Sequence, residues 1–108
     1  GLPLRFEQKL CADIDYILSF DIPELKSIIL FGSCARKELR VSSDIDLLVI
    51  TAEPLERSLR GELASVLEED IDHVKTDCIF YTQEQYINST RIFTQQIKNE
   101  GIVLYSTH

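Results

Sequence analysis

The chain has 108 residues and a formal net charge of −7, and 44% of its residues are hydrophobic. This length suits one compact domain, residues 1–108, with a modest core and no room for a second domain. The acidic balance argues against a polymerase or a tRNA-modifying enzyme, because domains that bind nucleic acid are usually basic.

Cysteine usage and hydropathy exclude further classes of protein. Cys11, Cys34 and Cys78 are widely spaced and form no Cys-x-x-Cys or ordered Cys/His series, so a structural zinc site is not expected. No apolar run approaches the length of a membrane span, and the N-terminus lacks the pattern of a signal peptide. The sequence therefore predicts a cytoplasmic protein without a membrane segment.

The first predicted elements are a helix and a strand. Apolar residues at helical spacing predict one helix face that covers a sheet; they are Phe6, Leu10, Ile14, Ile17 and Leu18. The apolar run from Ser27 to Phe31 then predicts a buried strand, which ends in a tight turn at Gly32.

Ser33 is predicted to open a short helix after this turn. The first N–H groups of such a helix are unpaired and lie at the positive end of its dipole, which favours an anion such as a triphosphate. Gly32 would allow close backbone approach, the Ser33 hydroxyl adds a donor, and Arg36 lies about one turn further on. Taken alone, a Gly-Ser pair is more often an ordinary turn and cap.

A pair of carboxylates begins the next predicted strand. Side chains alternate faces along a strand, so Asp44 and Asp46 project to one side and Ile45 to the other. Two neighbouring carboxylates repel each other, and magnesium, which prefers carboxylate and phosphate oxygens, would compensate that cost. Taken alone, the pair is more often a solvated strand entry, with Ser43 or Asp44 capping a turn. The apolar residues 47–50 that follow predict that this strand is central in its sheet.

The rest of the chain predicts scaffold. A helix opens at Pro54, with an apolar stripe of Leu55, Leu59, Leu63, Val66 and Leu67. A third strand covers Val74 to Tyr81. Thr82 and Gln85 resemble a capping box at the start of a further helix. Helical spacing continues through Tyr86, Phe93 and Ile97 and stops at Gly101. Ile102 to Tyr105 is predicted to form a final strand. The predicted fold class is α/β (α+β), a small mixed sheet flanked by helices.

The two motifs together resemble the signature of the DNA polymerase β-like nucleotidyltransferase superfamily, in particular its minimal nucleotidyltransferases. The matching segments are Gly32-Ser33-x-Ala35-Arg36 and Ser43-Asp44-Ile45-Asp46-Leu47-Leu48-Val49. One departure is Lys37, which stands where a glycine usually follows the arginine; it is either another phosphate-facing cation or a solvent-exposed side chain paired with a carboxylate.

The resemblance implies three metal-binding, catalytic carboxylates. The first two map onto Asp44 and Asp46, and the third lies on a later strand, where Asp77 is the only acid between Val74 and Tyr81. The nearby Asp70 and Asp72 are placed in an exposed helix end or turn.

The same resemblance implies a reaction and a set of ligands. A nucleoside monophosphate would pass from a nucleoside triphosphate, AMP from ATP, to a hydroxyl of a protein or small-molecule acceptor. Two Mg²⁺ ions would be held by the carboxylates. Gly32, Ser33, Arg36 and Ser43 would bind the nucleotide.

The partners that follow from the resemblance are open. The acceptor would be gripped by loops, by a second copy in a homodimer, or by a separate partner protein. Small members of the family often work beside a helical partner protein, and some are antitoxins that attach AMP to that partner. Two alternatives remain: a non-catalytic module that binds a nucleotide or partner with the same fold, and an acidic interaction protein in which the motifs are coincidental.

Overall fold

A computed structural model describes residues 4–20, 22, 24–32, 35, 44–69 and 74–107. In these residues the elements are α1 (Leu4–Ser19), β1 (Leu25–Phe31), β2 (Ile45–Thr51), α2 (Arg57–Leu67), β3 (Thr76–Thr82), α3 (Gln83–Asn88), α4 (Ile92–Glu100) and β4 (Ile102–Ser106). Every helix described is too short or too polar to span a lipid bilayer.

The strands form one mixed sheet in the order β3-β2-β1-β4. The β2–β3 pair is parallel, whereas β1 pairs antiparallel with both β2 and β4. The predicted mixed sheet flanked by helices is confirmed, and so is the internal position of β2. The third strand begins later than predicted, because Val74 forms only an isolated bridge before Thr76.

Strand β2 is apolar on both sides because both sides of the sheet are covered. On one side, which we call the α1 face, Ile45, Leu47 and Val49 pack with residues of α1 and with Leu67 of α2. On the other, the α4 face, the strands pack against Ile97 of α4; the buried strand residues there are Ile29, Phe31, Leu48 and Ile50.

Helix α1 differs from its prediction at its polar residues. Phe6, Leu10 and Ile17 are buried as expected, but Leu18 is 45% exposed because it lies about 100° around the helix from Ile17. Lys9 and Asp13 are buried instead, and the pair they form is described below.

Helix α2 begins at Arg57 rather than at Pro54. The Thr51 hydroxyl donates to the Glu53 carbonyl at 2.6 Å, which stabilises a bend after β2 and delays the helix. Of the predicted apolar stripe, Leu63 and Leu67 are buried, whereas Val66 is 36% exposed.

The predicted continuous helix through Tyr86 and Phe93 is wrong, because Ser89 is extended and separates α3 from α4. The Ser89 hydroxyl donates to the Thr94 hydroxyl at 2.8 Å, and such local side-chain bonds compete with helix continuation. The capping box of Thr82 and Gln85 is confirmed, with both of its hydrogen bonds present.

Gly101 ends α4 as predicted, for a packing reason. A Cβ at this position would lie 2.5 Å from the Ile97 carbonyl oxygen and 2.7 Å from Cγ2 of Ile29. A glycine therefore lets the chain pass close to the sheet before it enters β4.

Candidate functional site

Asp46 and Asp77 lie side by side on the two parallel strands. They are register partners in the β2–β3 pair, and neighbouring strands lie ~4.8 Å apart. Both therefore project to the α4 face, since Asp46 alternates with the α1-face residues Ile45 and Leu47. Asp46 is half-buried and Asp77 is exposed. The fold thus brings together two carboxylates that are 31 positions apart in the chain.

Asp44 directly precedes β2 and is half-buried. The Ile45 N–H donates to the Lys75 carbonyl at 2.9 Å, which fixes the start of β2 against the segment before Asp77. Alternation along an extended backbone places Asp44 on the same face as Asp46. All three predicted carboxylates therefore belong to one corner of the sheet.

Gly32 forms the turn that follows β1, directly beside Asp46. Its φ is +74°, a left-handed conformation that side chains disfavour. A Cβ on Gly32 would overlap the Asp46 carboxylate oxygen Oδ2 and lie 3.1 Å from its Cγ. The glycine is thus required twice, by the turn and by the carboxylate packed against it.

A cavity of about 260 Å³, which we call the Asp46 cavity, opens on the α4 face beside this turn. Its lining residues are Phe31, Gly32, Asp46, Phe93, Gln96, Ile97 and Glu100. The rings of Phe31 and Phe93 meet edge to face, with centroids 5.5 Å apart. The cavity therefore combines an aromatic wall with two carboxylates, those of Asp46 and Glu100.

Three residues predicted to bind nucleotide, Ser33, Arg36 and Ser43, lie outside the described residues, as do Asp70 and Asp72. Ala35 is described; it is helical, half-buried and packed against the α1-face core. The rest of the predicted helix after the Gly32 turn lies outside the described residues.

Within the described ranges, no three His, Cys, Asp or Glu side chains form a group that could hold a metal ion. The predicted set of Asp44, Asp46 and Asp77 is therefore not drawn together as a three-carboxylate group in this structure. Magnesium is usually held by only one or two carboxylates, with waters and substrate phosphates completing its shell. The register partners Asp46 and Asp77 supply two carboxylates for a site of the magnesium kind.

A buried ion pair anchors the strand that carries Asp77. Lys9 Nζ donates to Asp13 Oδ1 at 2.7 Å and to the Leu67 carbonyl at 2.9 Å. The Thr76 hydroxyl donates to the other oxygen of the Asp13 carboxylate. Burial raises the pKa of Asp13, and the bonds from Lys9 and Thr76 partly offset this effect. These bonds join α1, the end of α2 and the start of β3.

Sequence reasoning missed this pair, although a signal was present. Lys9 and Asp13 are spaced i, i+4 and lie on the same side of α1 as Phe6 and Leu10. Opposite charges inside an apolar stripe are rare unless they are paired, so their spacing could have indicated a buried pair.

Cys78 follows Asp77 on β3 and faces the opposite side of the sheet, where it packs against the α1-face core. Burial raises its pKa to about 12, and the charges of Asp13 and Glu68 contribute. A thiol held protonated in this way is a poor nucleophile, so Cys78 acts as a packing residue.

This fold, with its carboxylates at one corner of the sheet, is the arrangement expected of the nucleotidyltransferase class. The model of the family "Polymerase beta, Nucleotidyltransferase" matches residues 12–108, and the chain belongs to this family. The resemblance predicted from the two motifs is therefore confirmed.

Two kinds of relative refine this assignment. The chain is 32% identical over 95 residues to the protein adenylyltransferase MntA of Shewanella oneidensis, covering 84% of this chain and 61% of that relative. It thus spans about three fifths of the length of that protein. A crystal structure of a toxin–antitoxin with AMP-PNP matches with a TM-score of 0.67 and 30% identity, over 90% of this chain and 73% of the other.

A third match is the tri-AMPylated Shewanella oneidensis HEPN toxin in complex with its MNT antitoxin. Its TM-score is 0.60 at 27% identity, and it covers 92% of this chain and 73% of the matched chain.

Proposed function

We propose that this chain transfers AMP from ATP to a hydroxyl of a partner protein, as the antitoxin of a toxin–antitoxin pair. The observation that carries the proposal is the register pairing of Asp46 with Asp77 beside the Gly32 turn. The chain that carries this arrangement is itself 32% identical to the protein adenylyltransferase MntA.

The Gly32 turn and the residues after it would hold the triphosphate. With no Cβ at Gly32, the Asp46 carboxylate lies directly against the turn, so a metal held by Asp46 would face phosphates bound there, and Ser33, Arg36 and Ser43 would supply donors. Holding the β- and γ-phosphates at one point fixes the α-phosphorus for in-line attack. Such positioning accounts for much of the catalysis in phosphoryl transfer.

The different exposure of the two carboxylates supports different roles. Asp46 is half-buried against Gly32, so it would face the phosphates and their metal. Asp77 is exposed and so would meet the acceptor hydroxyl. In the proposed step Asp77 accepts the hydroxyl proton, the hydroxyl oxygen bonds to the α-phosphorus, and the bond from that phosphorus to the leaving pyrophosphate breaks.

Asp44, Asp46 and Asp77 would hold two magnesium ions. When bound, magnesium would neutralise the phosphate charge and stabilise the pyrophosphate that leaves. The carboxylates themselves would orient the substrate and exclude other anions from this corner.

The Asp46 cavity would take the adenine of ATP. Phe93 offers an aromatic edge or face to a planar base, and the Gln96 side-chain amide can both donate and accept hydrogen bonds at its rim. A volume of about 260 Å³ is sufficient for a base but not for a whole nucleotide, which agrees with phosphates held outside it by the Gly32 turn.

The partner is proposed by comparison. The S. oneidensis toxin seen with its MNT antitoxin is AMP-modified, and the acidic balance of this chain, with net charge −7, favours a protein acceptor over nucleic acid. We therefore propose a HEPN-type toxin as the acceptor.

The first test is titration with a non-hydrolysable ATP analogue, with and without magnesium. We expect magnesium to increase affinity at least ~10-fold, and Asp46→Asn and Asp77→Asn to abolish that increase. The matched control is Asp15→Asn, which removes an exposed carboxylate of α1. This variant is expected to keep the magnesium-dependent increase in affinity. The second test adds ATP and the S. oneidensis HEPN toxin, and mass spectrometry detects AMP on the toxin.

The two tests separate the possible outcomes. Metal-independent binding that neither substitution changes contradicts the transferase proposal and favours a non-catalytic nucleotide-binding module. Metal-dependent binding without AMP transfer to the toxin contradicts only the choice of acceptor.

A further inference from the structure

A second cavity, of about 550 Å³, lies at the opposite end of the parallel strands from Asp46 and Asp77. It is bordered by Thr51 and Thr82, the paired last residues of β2 and β3. Arg60 of α2 and Arg91, which precedes α4, also line it. We call it the Arg60/Arg91 cavity.

This cavity is separate from the proposed catalytic site. Thr51 is five residues beyond Asp46 on the same strand, a span of ~17 Å at the usual rise of a β-strand. The two cavities share no lining residue. A ligand here is therefore not the triphosphate held at Gly32.

The charge of the lining favours an anion. It contains two arginines and no carboxylate, in a chain whose net charge is −7. Glu53 and Glu56 are close in sequence to Pro54 and Leu55 of the lining, but they do not line the cavity themselves. Among the residues that the structure describes, neither guanidinium forms an ion pair. Guanidinium groups bind phosphate through paired, charge-assisted hydrogen bonds.

The remaining lining suits a planar base. Phe80 and Tyr81 are neighbours on β3 that face opposite sides of the sheet, and each contributes an aromatic ring to the lining. Asn88 and Gln85 provide side-chain amides. The side-chain oxygen Oε1 of Gln85 accepts the Thr82 N–H, so the hydrogens of the Gln85 side-chain amide stay available for a ligand. The cavity also has the volume typical of small-ligand sites, which is ~300–1,000 Å³.

We propose that the Arg60/Arg91 cavity binds a nucleoside monophosphate, with its phosphate between the two guanidinium groups and its base against one of the two aromatic rings. The ligand contacts of this site are separate from those of the proposed transfer reaction, because the site uses none of the three carboxylates and none of the residues of the Gly32 turn.

The experiment is titration of the isotopically labelled chain with AMP in the presence of a metal chelator. Without metal, the Asp44, Asp46 and Asp77 carboxylates disfavour phosphate at the catalytic corner. We expect AMP to shift the amide signals of Thr82 and Ser89 while Gly32 and Asp46 stay unchanged. The double substitution Arg60→Gln with Arg91→Gln is expected to weaken AMP binding at least ~10-fold, because both guanidinium groups that bind the phosphate are lost.

The matched control is Arg57→Gln, an exposed arginine of α2 that does not line the cavity; it keeps the wild-type affinity. Adenosine and inorganic phosphate, each used alone, are expected to bind at least ~10-fold more weakly than AMP, because each makes only part of the contacts.

Three results would overturn the proposal: AMP affinity that survives the double substitution, signal changes confined to Gly32 and Asp46, or phosphate that binds as tightly as AMP. Loss of metal-dependent ATP-analogue binding in Asp46→Asn, by contrast, bears only on the proposed transferase.

Discussion

Thr76 donates its hydroxyl hydrogen to the carboxylate of Asp13, which lies 63 positions earlier in the chain. Since Thr76 directly precedes Asp77 on β3, this bond fixes the start of the strand that carries a proposed catalytic carboxylate. Asp13 is held in turn by Lys9, whose ammonium group also caps the carbonyl of Leu67 at the end of α2.

We predict that Lys9→Met destabilises the protein at neutral pH. The substitution leaves the Asp13 carboxylate buried without its counter-charge, and breaking a buried pair in this way costs ~3–5 kcal/mol. Urea unfolding measures the loss. Lys75→Met, at an exposed position on the adjacent segment, should change the free energy of unfolding by no more than ~0.5 kcal/mol. If Lys9→Met lowers the free energy of unfolding no more than Lys75→Met does, the Lys9–Asp13 pair contributes nothing to stability.

The deficit in unfolding free energy of Lys9→Met should depend on pH, in a direction set by the pKa of Asp13. Burial raises the pKa of Asp13 above its ordinary 3.8, and Lys9 opposes that rise. Removing Lys9 raises it further. A carboxyl with a raised folded-state pKa contributes stability that is full below the unfolded pKa and is lost as pH rises through the folded pKa. The deficit is therefore expected to shrink as the pH is lowered from 7 towards the ordinary value, and a deficit that grows on acidification contradicts this account.

We predict that Gly32→Ala lowers both stability and transfer activity. The left-handed φ and the overlap with the Asp46 carboxylate together cost ~1–3 kcal/mol, and the displaced carboxylate would no longer face the phosphates. Gly61→Ala is the matched control, because its Cβ would meet nothing within 4 Å on α2. There alanine should raise stability by ~0.5–1 kcal/mol. Denaturant unfolding and AMP-transfer assays on both variants measure the contrast, and a Gly32→Ala variant with unchanged activity would contradict it.

We predict that Phe93→Ala raises KM for ATP while kcat is largely unchanged. In the proposed binding mode Phe93 contacts the adenine and not the phosphates, so its loss removes binding shared by the ground and transition states. An aromatic contact is worth about 1 kcal/mol, which corresponds to about a 5-fold change in KM. Ile92→Ala, at a neighbouring residue that is 79% exposed, should leave both constants unchanged. A fall in kcat alone would indicate that the cavity positions the acceptor instead.

We predict that alkylation distinguishes the two described thiols. Cys78 has a pKa of about 12 and packs against the core, whereas Cys11 is exposed. Because the thiolate is the reactive form, iodoacetamide at pH 8 should modify Cys11 at least ~100-fold faster than Cys78. Mass spectrometry of peptides from a Cys34→Ser variant gives both rates directly. Comparable rates would show that β3 opens readily at Cys78.

The parts of the fold that the sequence predicted are those set by local chemistry. The turn at Gly32, the charged entrance to an apolar strand and the Thr82–Gln85 capping box each depend on residues within a few positions of one another. The strand spans were right within two or three residues for the same reason.

The parts that were missed depend on contacts between distant segments. Nothing near Lys9 or Asp13 shows that Thr76 and the Leu67 carbonyl will satisfy them. The break between α3 and α4 is a different case, because the bonds at Ser89 that favour it are local. The apolar spacing of Tyr86 and Phe93 predicts one helix and does not reveal that Ser89 will bond to Thr94 and Gln95. Asp46 and Asp77 come into register through the crossover that contains α2. The sequence constrains the length of this crossover, but it does not specify which residues of β2 and β3 pair.

Helix α4 borders both cavities. Arg91, at its N-terminal boundary, lines one, and Phe93 and Ile97 line the other. A helix of nine residues is too short to be stable by itself and is ordered by what packs against it. A ligand that orders α4 from one end would therefore reduce the entropic cost of ordering it from the other. Thermodynamic linkage makes this effect reciprocal, so occupancy of either cavity would tighten binding in its neighbour by the same factor.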